Sequence, residues 1–209
     1  YEVTGTCSEE GRPVTVSVNG TPRSTPACTG GNFTASGMNV SGVSDGPAIS
    51  VTAGHSDVAG NTDLDSTTVV KDTVRPTVTI GAPDDTLINS SGTSTFILTY
   101  EVAPSPAIDS SDITVTGTGG VTCSTVNVTD GDTVNPSVAV SGCSGNGSFT
   151  ISVAAAQSVD AAGNTDAGAG PSAAVTVDNA NPTVSFTSPP VINIANASRY
   201  TCLLYTSPS

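Results

Sequence analysis

Apolar and polar residues alternate along this chain over short runs, and each run ends in turn chemistry. Val14, Val16 and Val18 alternate with Thr15 and Ser17. The Asn19-Gly20 pair that follows tolerates positive φ, which marks a two-residue hairpin. Phe96, Leu98, Tyr100 and Val102 alternate in the same way, as do Ile113 with Val115 and the set Phe149, Ile151, Val153 and Ala155. Period-two alternation predicts strands with one face buried. Tyr1, Val3 and Gly5 to Cys7 read as a strand already under way at the start of the chain. Asp130-Gly131-Asp132 joins the Val126/Val128 run to the Val138/Val140 run, and Gly-Asn and Gly-Gly pairs punctuate the other loops. Nothing resembles a helical apolar stripe of useful length, so the pattern predicts an all-β sandwich with almost no helix.

Two passages match each other. The first runs Ile49-Ser-Val-Thr-Ala53, then Asp57-Val-Ala-Gly-Asn-Thr-Asp63, and continues through Thr68-Val-Val-Lys-Asp72 to Arg75-Pro-Thr-Val-Thr-Ile80. The second runs Ile151-Ser-Val-Ala-Ala155, then Asp160-Ala-Ala-Gly-Asn-Thr-Asp166, and continues through Val175-Thr-Val-Asp178 to Asn181-Pro-Thr-Val-Ser-Phe186. Ala59 corresponds to Ala162 and Pro76 to Pro182, about a hundred positions apart, which is one sandwich domain per repeat. Proline fixes φ and restricts the residue before it, so Pro76 and Pro182 predict short, stiff junctions and domains stacked as a rod.

The Asp-x-Ala-Gly-Asn-Thr loop, the valine-rich strand ending in Asp and the Pro-Thr-Val junction resemble the bacterial immunoglobulin-like repeats of large surface proteins and biofilm adhesins. Gly5-Thr-Cys-Ser-Glu9 and Cys28-Thr-Gly-Gly-Asn-Phe33 are similar to one subtype, and the second domain to another. The resemblance implies tandem immunoglobulin-like Greek-key β-sandwiches: residues 1–75 as a domain lacking its first strand, 76–181 as a second domain, and 182–201 as the first strand of a truncated third. Residues 202–209 match one reading frame of a sequencing-library adapter and are read as a tail derived from it. Antibody-type domains differ, with a tryptophan that this chain lacks and cysteines that span most of a domain.

The 209 residues carry 5 Lys and Arg against 18 Asp and Glu, a formal charge of −13. Such a surface repels phosphate backbones, which argues against nucleic acid and anionic membranes as partners. No run approaches the length of a membrane-spanning helix.

With Cys202 set aside with the tail, the cysteines come as Cys7 with Cys28 and Cys123 with Cys143, one pair per domain. Each is read as a disulfide worth about 3 kcal/mol through the unfolded state, made in an oxidising compartment. A metal-thiolate site is the alternative; it has no close Cys-x-x-Cys spacing or supporting histidine.

Asp57, Asn61 and Asp63, with Asp160, Asn164 and Asp166, fall in loops expected at one pole of each sandwich. Asp72 and Asp178 end the last strands just before the junctions. These eight residues are candidate calcium ligands, since calcium takes several oxygens in flexible geometry. Asp178-Asn-Ala-Asn-Pro182 resembles the calcium linker of cadherins, except that Ala180 stands where that linker has its second acid. The competing reading is that Asp and Asn here are turn formers bonded to their own backbone.

His55, Ser56 and Asp57 hold the residue types of a hydrolase triad, but neighbours on a strand point to opposite faces. Glu9-Glu10, Asp84-Asp85 and Asp109 with Asp112 are acid pairs of the kind glycosidases use, read here as solvated loop charge. The expected function is therefore not enzymatic. It is a structural spacer of a cell-surface or secreted bacterial protein, supporting adhesion or biofilm formation. The expected partners are neighbouring repeats of the same chain and a host or cell-surface ligand, with the domains monomeric and calcium as the one candidate cofactor. Direct binding of a glycan or protein ligand and service as accessory domains of a secreted hydrolase are the alternatives.

Overall fold

The computed structural model describes residues 1–185. Most of the expected 182–201 strand and all of the 202–209 tail lie outside the described residues. The chain is all-β, its only helical element among them a single 3-10 turn at Ser110–Asp112. No helix there is long and apolar enough to cross a membrane.

The first repeat contains β1 (Val3–Thr6), β2 (Val14–Val18), β3 (Thr21–Ser24), β4 (Asn32–Ala35), β5 (Gly46–Ser56) and β6 (Thr62–Lys71). The hairpin between β2 and β3 forms where the sequence places it, with φ of 48° at Asn19 and 75° at Gly20, the twist that two-residue hairpins favour. One sheet has the order β3-β2-β5-β6; the other is only the antiparallel pair β1-β4. Val14, Val16 and Val51 from the larger sheet meet Phe33 and Ala35 of β4 and Met38 in one apolar cluster. Val18, Val43 and Ile49 form a second, separate one. Gly5 is opposite Phe33 in the β1-β4 register, and a Cβ on Gly5 would collide with the Phe33 ring.

The second repeat contains β7 (Val78–Ile80), β8 (Leu87–Ile88), β9 (Thr93–Tyr100), β10 (Ile113–Thr118), β11 (Thr122–Thr129), β12 (Ser137–Ser144), β13 (Gly147–Val153) and β14 (Val175–Val177). Its two four-stranded sheets have the orders β11-β12-β9-β7 and β10-β13-β14-β8. All pairings are antiparallel except β14 with β8. Phe96, Leu98, Val138 and Val140 from one sheet face Phe149, Ile151, Val175 and Val177 from the other across a single continuous core. This is the arrangement of a β-sandwich. The Phe96 and Phe149 rings meet edge to face at 6.4 Å, a favoured aromatic geometry.

Two alternation runs stop earlier than the sequence predicts. Val102 lies beyond the end of β9, and Ala155 is exposed beyond the end of β13. After Val153 the Ala154 N–H turns to the Asp112 carbonyl and Ala156 adopts a φ of 64°, so the chain leaves the sheet before Ala155 can pair.

Both disulfides form. Cys7–Cys28 ties the end of β1 to the segment after β3, and Cys123–Cys143 joins direct partners across β11 and β12. Formed disulfides place the chain in an oxidising, non-cytoplasmic compartment.

Candidate functional site

The repeated loops adopt one geometry in both repeats. In the first, between β5 and β6, the Asp57 N–H donates to the Asn61 carbonyl at 3.0 Å. The Asp57 carboxylate accepts the Asn61 backbone N–H at 2.8 Å and its side-chain amide at 2.6 Å. In the second, the Asp160 N–H donates to the Asn164 carbonyl at 3.0 Å. The Asp160 carboxylate accepts the Asn164 backbone and side-chain N–H groups at 2.9 and 2.8 Å and the Ala162 N–H at 2.8 Å. These donors favour the ionised form, the Asn side chains most, and hold both carboxyls below the usual range. Gly60 and Gly163 close the turns at φ of 92° and 91°, a conformation glycine adopts without strain.

In the second repeat this loop grips the segment between the repeats. The Asn164 side-chain amide, besides serving Asp160, donates to the Asp72 carbonyl at 3.3 Å. Arg75 donates from its guanidinium to the Thr165 carbonyl at 2.9 Å. From the first repeat, Asp45 accepts the Lys71 ammonium at 2.6 Å, the Thr73 N–H at 2.9 Å and the Thr73 hydroxyl at 2.7 Å. Asp72 accepts the Val74 N–H at 2.9 Å, and Glu101 accepts the Thr77 N–H at 3.0 Å. Pro76 is buried. Residues 71–77 are thus fastened by side chains from both sides, in addition to the φ restriction of the proline.

The start of this segment recurs after the second repeat with different residues. Asn146, which precedes β13 as Asp45 precedes β5, accepts the Asn179 N–H at 2.7 Å, as Asp45 accepts that of Thr73. Asp178 accepts the Ala180 N–H at 2.9 Å, as Asp72 accepts that of Val74. Asn179 also donates to the Gly145 carbonyl at 2.8 Å and accepts the Ser90 N–H at 2.6 Å.

The candidate calcium ligands are placed as follows. Asp57 with Asn61 and Asp160 with Asn164 come together, the first carboxylate accepting two amide donors and the second three. Asp63 is exposed on β6, opposite His55. Asp166, its counterpart, is fully buried and accepts the Ser158 N–H at 2.6 Å, the Ser158 hydroxyl at 3.2 Å and the Gly168 N–H at 2.8 Å. Asp72 and Asp178 each bond a backbone N–H two residues on. Among the described residues no three His, Cys, Asp or Glu side chains converge as metal ligands. As placed, these carboxylates satisfy amide donors and form no oxygen cage.

The triad residues do not gather either. The His55 Nε2 accepts the Glu9 N–H and its Nδ1 faces the Pro13 carbonyl, both at 3.1 Å, which assigns the ring hydrogen to Nδ1. Both nitrogens are therefore committed to the backbone. Asp84 and Asp109 hold turns, their carboxyls lowered chiefly by the Thr95 backbone and the Ser111 hydroxyl respectively. Comparison with protein-family models and with curated proteins finds no match.

Sequence reasoning missed Asp45, Arg75, Glu101 and the Asn146/Asn179 pair as parts of the junction. Asp45 and Arg75 act across 28 and 90 residues of chain, and no local pattern marks such contacts. The one available signal was the recurrence of Asn61 and Asn164 at fixed places in the repeat.

Proposed function

We propose that the chain is a pair of spacer repeats, immunoglobulin-like Greek-key sandwiches joined by a stiffened junction, from a protein displayed on or secreted by a bacterial cell. The observation that carries this reading is the junction itself: Asp45 from one side and Asn164, Thr165 and Glu101 from the other hold a segment of a few residues that a flexible linker would leave free. The orders β11-β12-β9-β7 and β10-β13-β14-β8 support the topology, because immunoglobulin-type sandwiches place their strands as A-B-E-D and C-F-G. The recurrence of the junction turn at Asp178 supports a serial arrangement, in which each repeat meets the next through the same geometry. The disulfides and the acidic surface accord with an extracellular setting. Adhesion and biofilm support are the cell-level roles this reading assigns.

Residual dipolar couplings on the full chain test it. The two repeats are expected to share one alignment tensor. The Arg75→Ala/Asn164→Ala double variant is expected to split that tensor in two while leaving each repeat folded. Independent tumbling of the repeats in the unaltered chain overturns the spacer reading. Calcium at the acidic loops is the one cofactor the reading admits, and repeating the couplings with calcium and with chelator reads it directly.

A further inference from the structure

β11 is an edge strand inside the second repeat, set between β10 and β12 in the chain, and among the described residues it pairs only with β12. The Leu98 N–H donates to the Pro136 carbonyl and the Gly81 N–H to that of Ile97, so even positions of β9 bond toward β12 and odd ones toward β7. Alternation carries this across the sheet. The main chain of Val138 and Val140 turns to β9, and that of Ser137, Ala139 and Ser141 turns to Thr129, Asn127 and Thr125. The N–H and C=O groups of Val126 and Val128 therefore point away from the sheet, with no hydrogen-bond partner among the described residues. Both valine side chains are half-buried, while Thr125, Asn127 and Thr129 are exposed.

A bare edge invites pairing with another chain, and proteins blunt such edges with charge, proline, bulges or shortness. β3 carries Pro22 and Arg23 beside a register shift in its partner strand. β7 has three residues and β8 two. β10 contains Gly117, which weakens a strand interior. β11 has eight residues, none of them charged and none proline, in a chain with 18 acids.

We infer, in place of the monomeric state expected from the sequence, that β11 is a self-association edge whose partner is β11 of a second copy of this chain, antiparallel about a two-fold axis at Asn127. In that register Val126 of each copy lies opposite Val128 of the other, and the pair exchanges both main-chain hydrogen bonds. The valine side chains then form one apolar row across the axis. Asn127 meets its own copy in the close, non-hydrogen-bonded position, where two carboxamides complement each other as donor and acceptor. The antiparallel order also keeps like charges apart. Asp130 of each copy stands three residues from the axis, so the two are about 20 Å apart at ~3.4 Å per residue, beyond the screening length of roughly 8 Å at physiological salt. Parallel order would set them about 5 Å apart. One edge of this length makes an interface smaller than the roughly 1,200 Å2 of stable complexes, so a single contact is weak and gains strength where several engage together. The inference does not rest on the spacer reading, because a loose junction would leave β11 unchanged.

Sedimentation equilibrium of the full chain up to about 1 mM is expected to show a monomer–dimer equilibrium with a dissociation constant on the order of 10⁻⁴ M. Amide exchange at Val126 and Val128 is expected to be fast in dilute solution and to slow as the dimer fills. Asn127→Lys places two ammonium groups opposite each other on the axis, a destabilising like-charge pair, while it lowers the net negative charge of the chain. It is expected to weaken association about tenfold with the melting of the second repeat unchanged, since the side chain is exposed. Four results each overturn the proposal: no association at about 1 mM, association that Asn127→Lys leaves intact, growth beyond the dimer, or slowed exchange that spares Val126 and Val128.

Discussion

At Asp45 a single carboxylate takes three donors from Lys71 and Thr73. Chief among them the Lys71 ammonium lowers its pKa to about 2. A carboxyl whose folded pKa lies below its unfolded one contributes stability above the unfolded value and loses it as pH falls through the folded one. Acid titration of the first repeat is therefore expected to lose this contribution between about pH 4 and pH 2. Asp45→Asn, followed by circular dichroism across that window, is expected to flatten the acid limb. Asp57 shifts in the same direction and steepens the fall of the first repeat, and Asp160 does so for the second.

Tyr100 is the opposite case. Among the described residues its hydroxyl is buried without a partner. Burial first, and then the carboxylates of Asp166 and Asp112, push the phenol up to about 12. A raised folded pKa leaves stability intact below the unfolded value near 10 and removes it as pH climbs toward the folded one. Tyr100→Phe deletes an unsatisfied polar atom and keeps the ring, so it is expected to be neutral or to stabilise by up to about 1 kcal/mol at pH 7. Alkaline melts check the same variant, which is expected to lose the destabilisation seen between about pH 10 and 12 in the parent.

Among the elements, β11 and β12 show what the disulfides do. Cys123 and Cys143 are direct partners across two strands of eight residues each. Reduction or the Cys123→Ser/Cys143→Ser double variant is expected to cost about 3 kcal/mol. Melting of the second repeat would read this as a fall on the order of 10 °C or more for a domain of this size. The first repeat, whose bridge lies elsewhere, is the internal control.

The strands themselves were legible because a half-buried strand must alternate. Val14, Val16 and Val18 on β2, and Phe149, Ile151 and Val153 on β13, face the core as their spacing demands. The hairpin at Asn19-Gly20 was legible because few residue pairs accept that backbone. What alternation does not carry is which edge pairs with which. β8 is two residues long and pairs with β14, 89 positions away at Leu87 and Thr176, and nothing in Leu87-Ile88 marks it as a strand. The site was legible as a repeated loop but not as a clasp, since Asn164 and Asn61 are the same residue in the same turn and among the described residues it is Asn164 that bonds a junction segment. Asp63 and Asp166 also occupy one place in the repeat, yet one is exposed and the other fully buried. The surroundings of a residue, not its own identity, decide its burial.

At the scale of the whole molecule the two repeats differ in completeness. The second closes eight strands over one core; the first sets a two-stranded sheet against a four-stranded one over a divided core. Less apolar area removed from water means less stabilisation. Calorimetric melting is expected to resolve two transitions, and amide exchange is expected to assign the lower one to residues 1–75. A single cooperative transition spanning both repeats would instead mean that the junction couples them strongly enough to unfold as one unit.

The parallel pairing of β8 with β14 sets how the second repeat responds to tension. The chain enters the repeat through β7, which pairs antiparallel with β9, then runs through β8 and leaves just after β14; the parallel β8 and β14, drawn from opposite ends, slide past one another along their length. The hydrogen bonds between them, at Thr86 with Thr176 and Ile88 with Asp178, lie across the direction of pull and are loaded together in shear, whereas an antiparallel terminal pair would open like a zipper, one bond at a time. A pulled repeat therefore resists until this short clamp yields as a unit. Beyond that point the Cys123–Cys143 bridge still keeps the residues between its two cysteines from being drawn out.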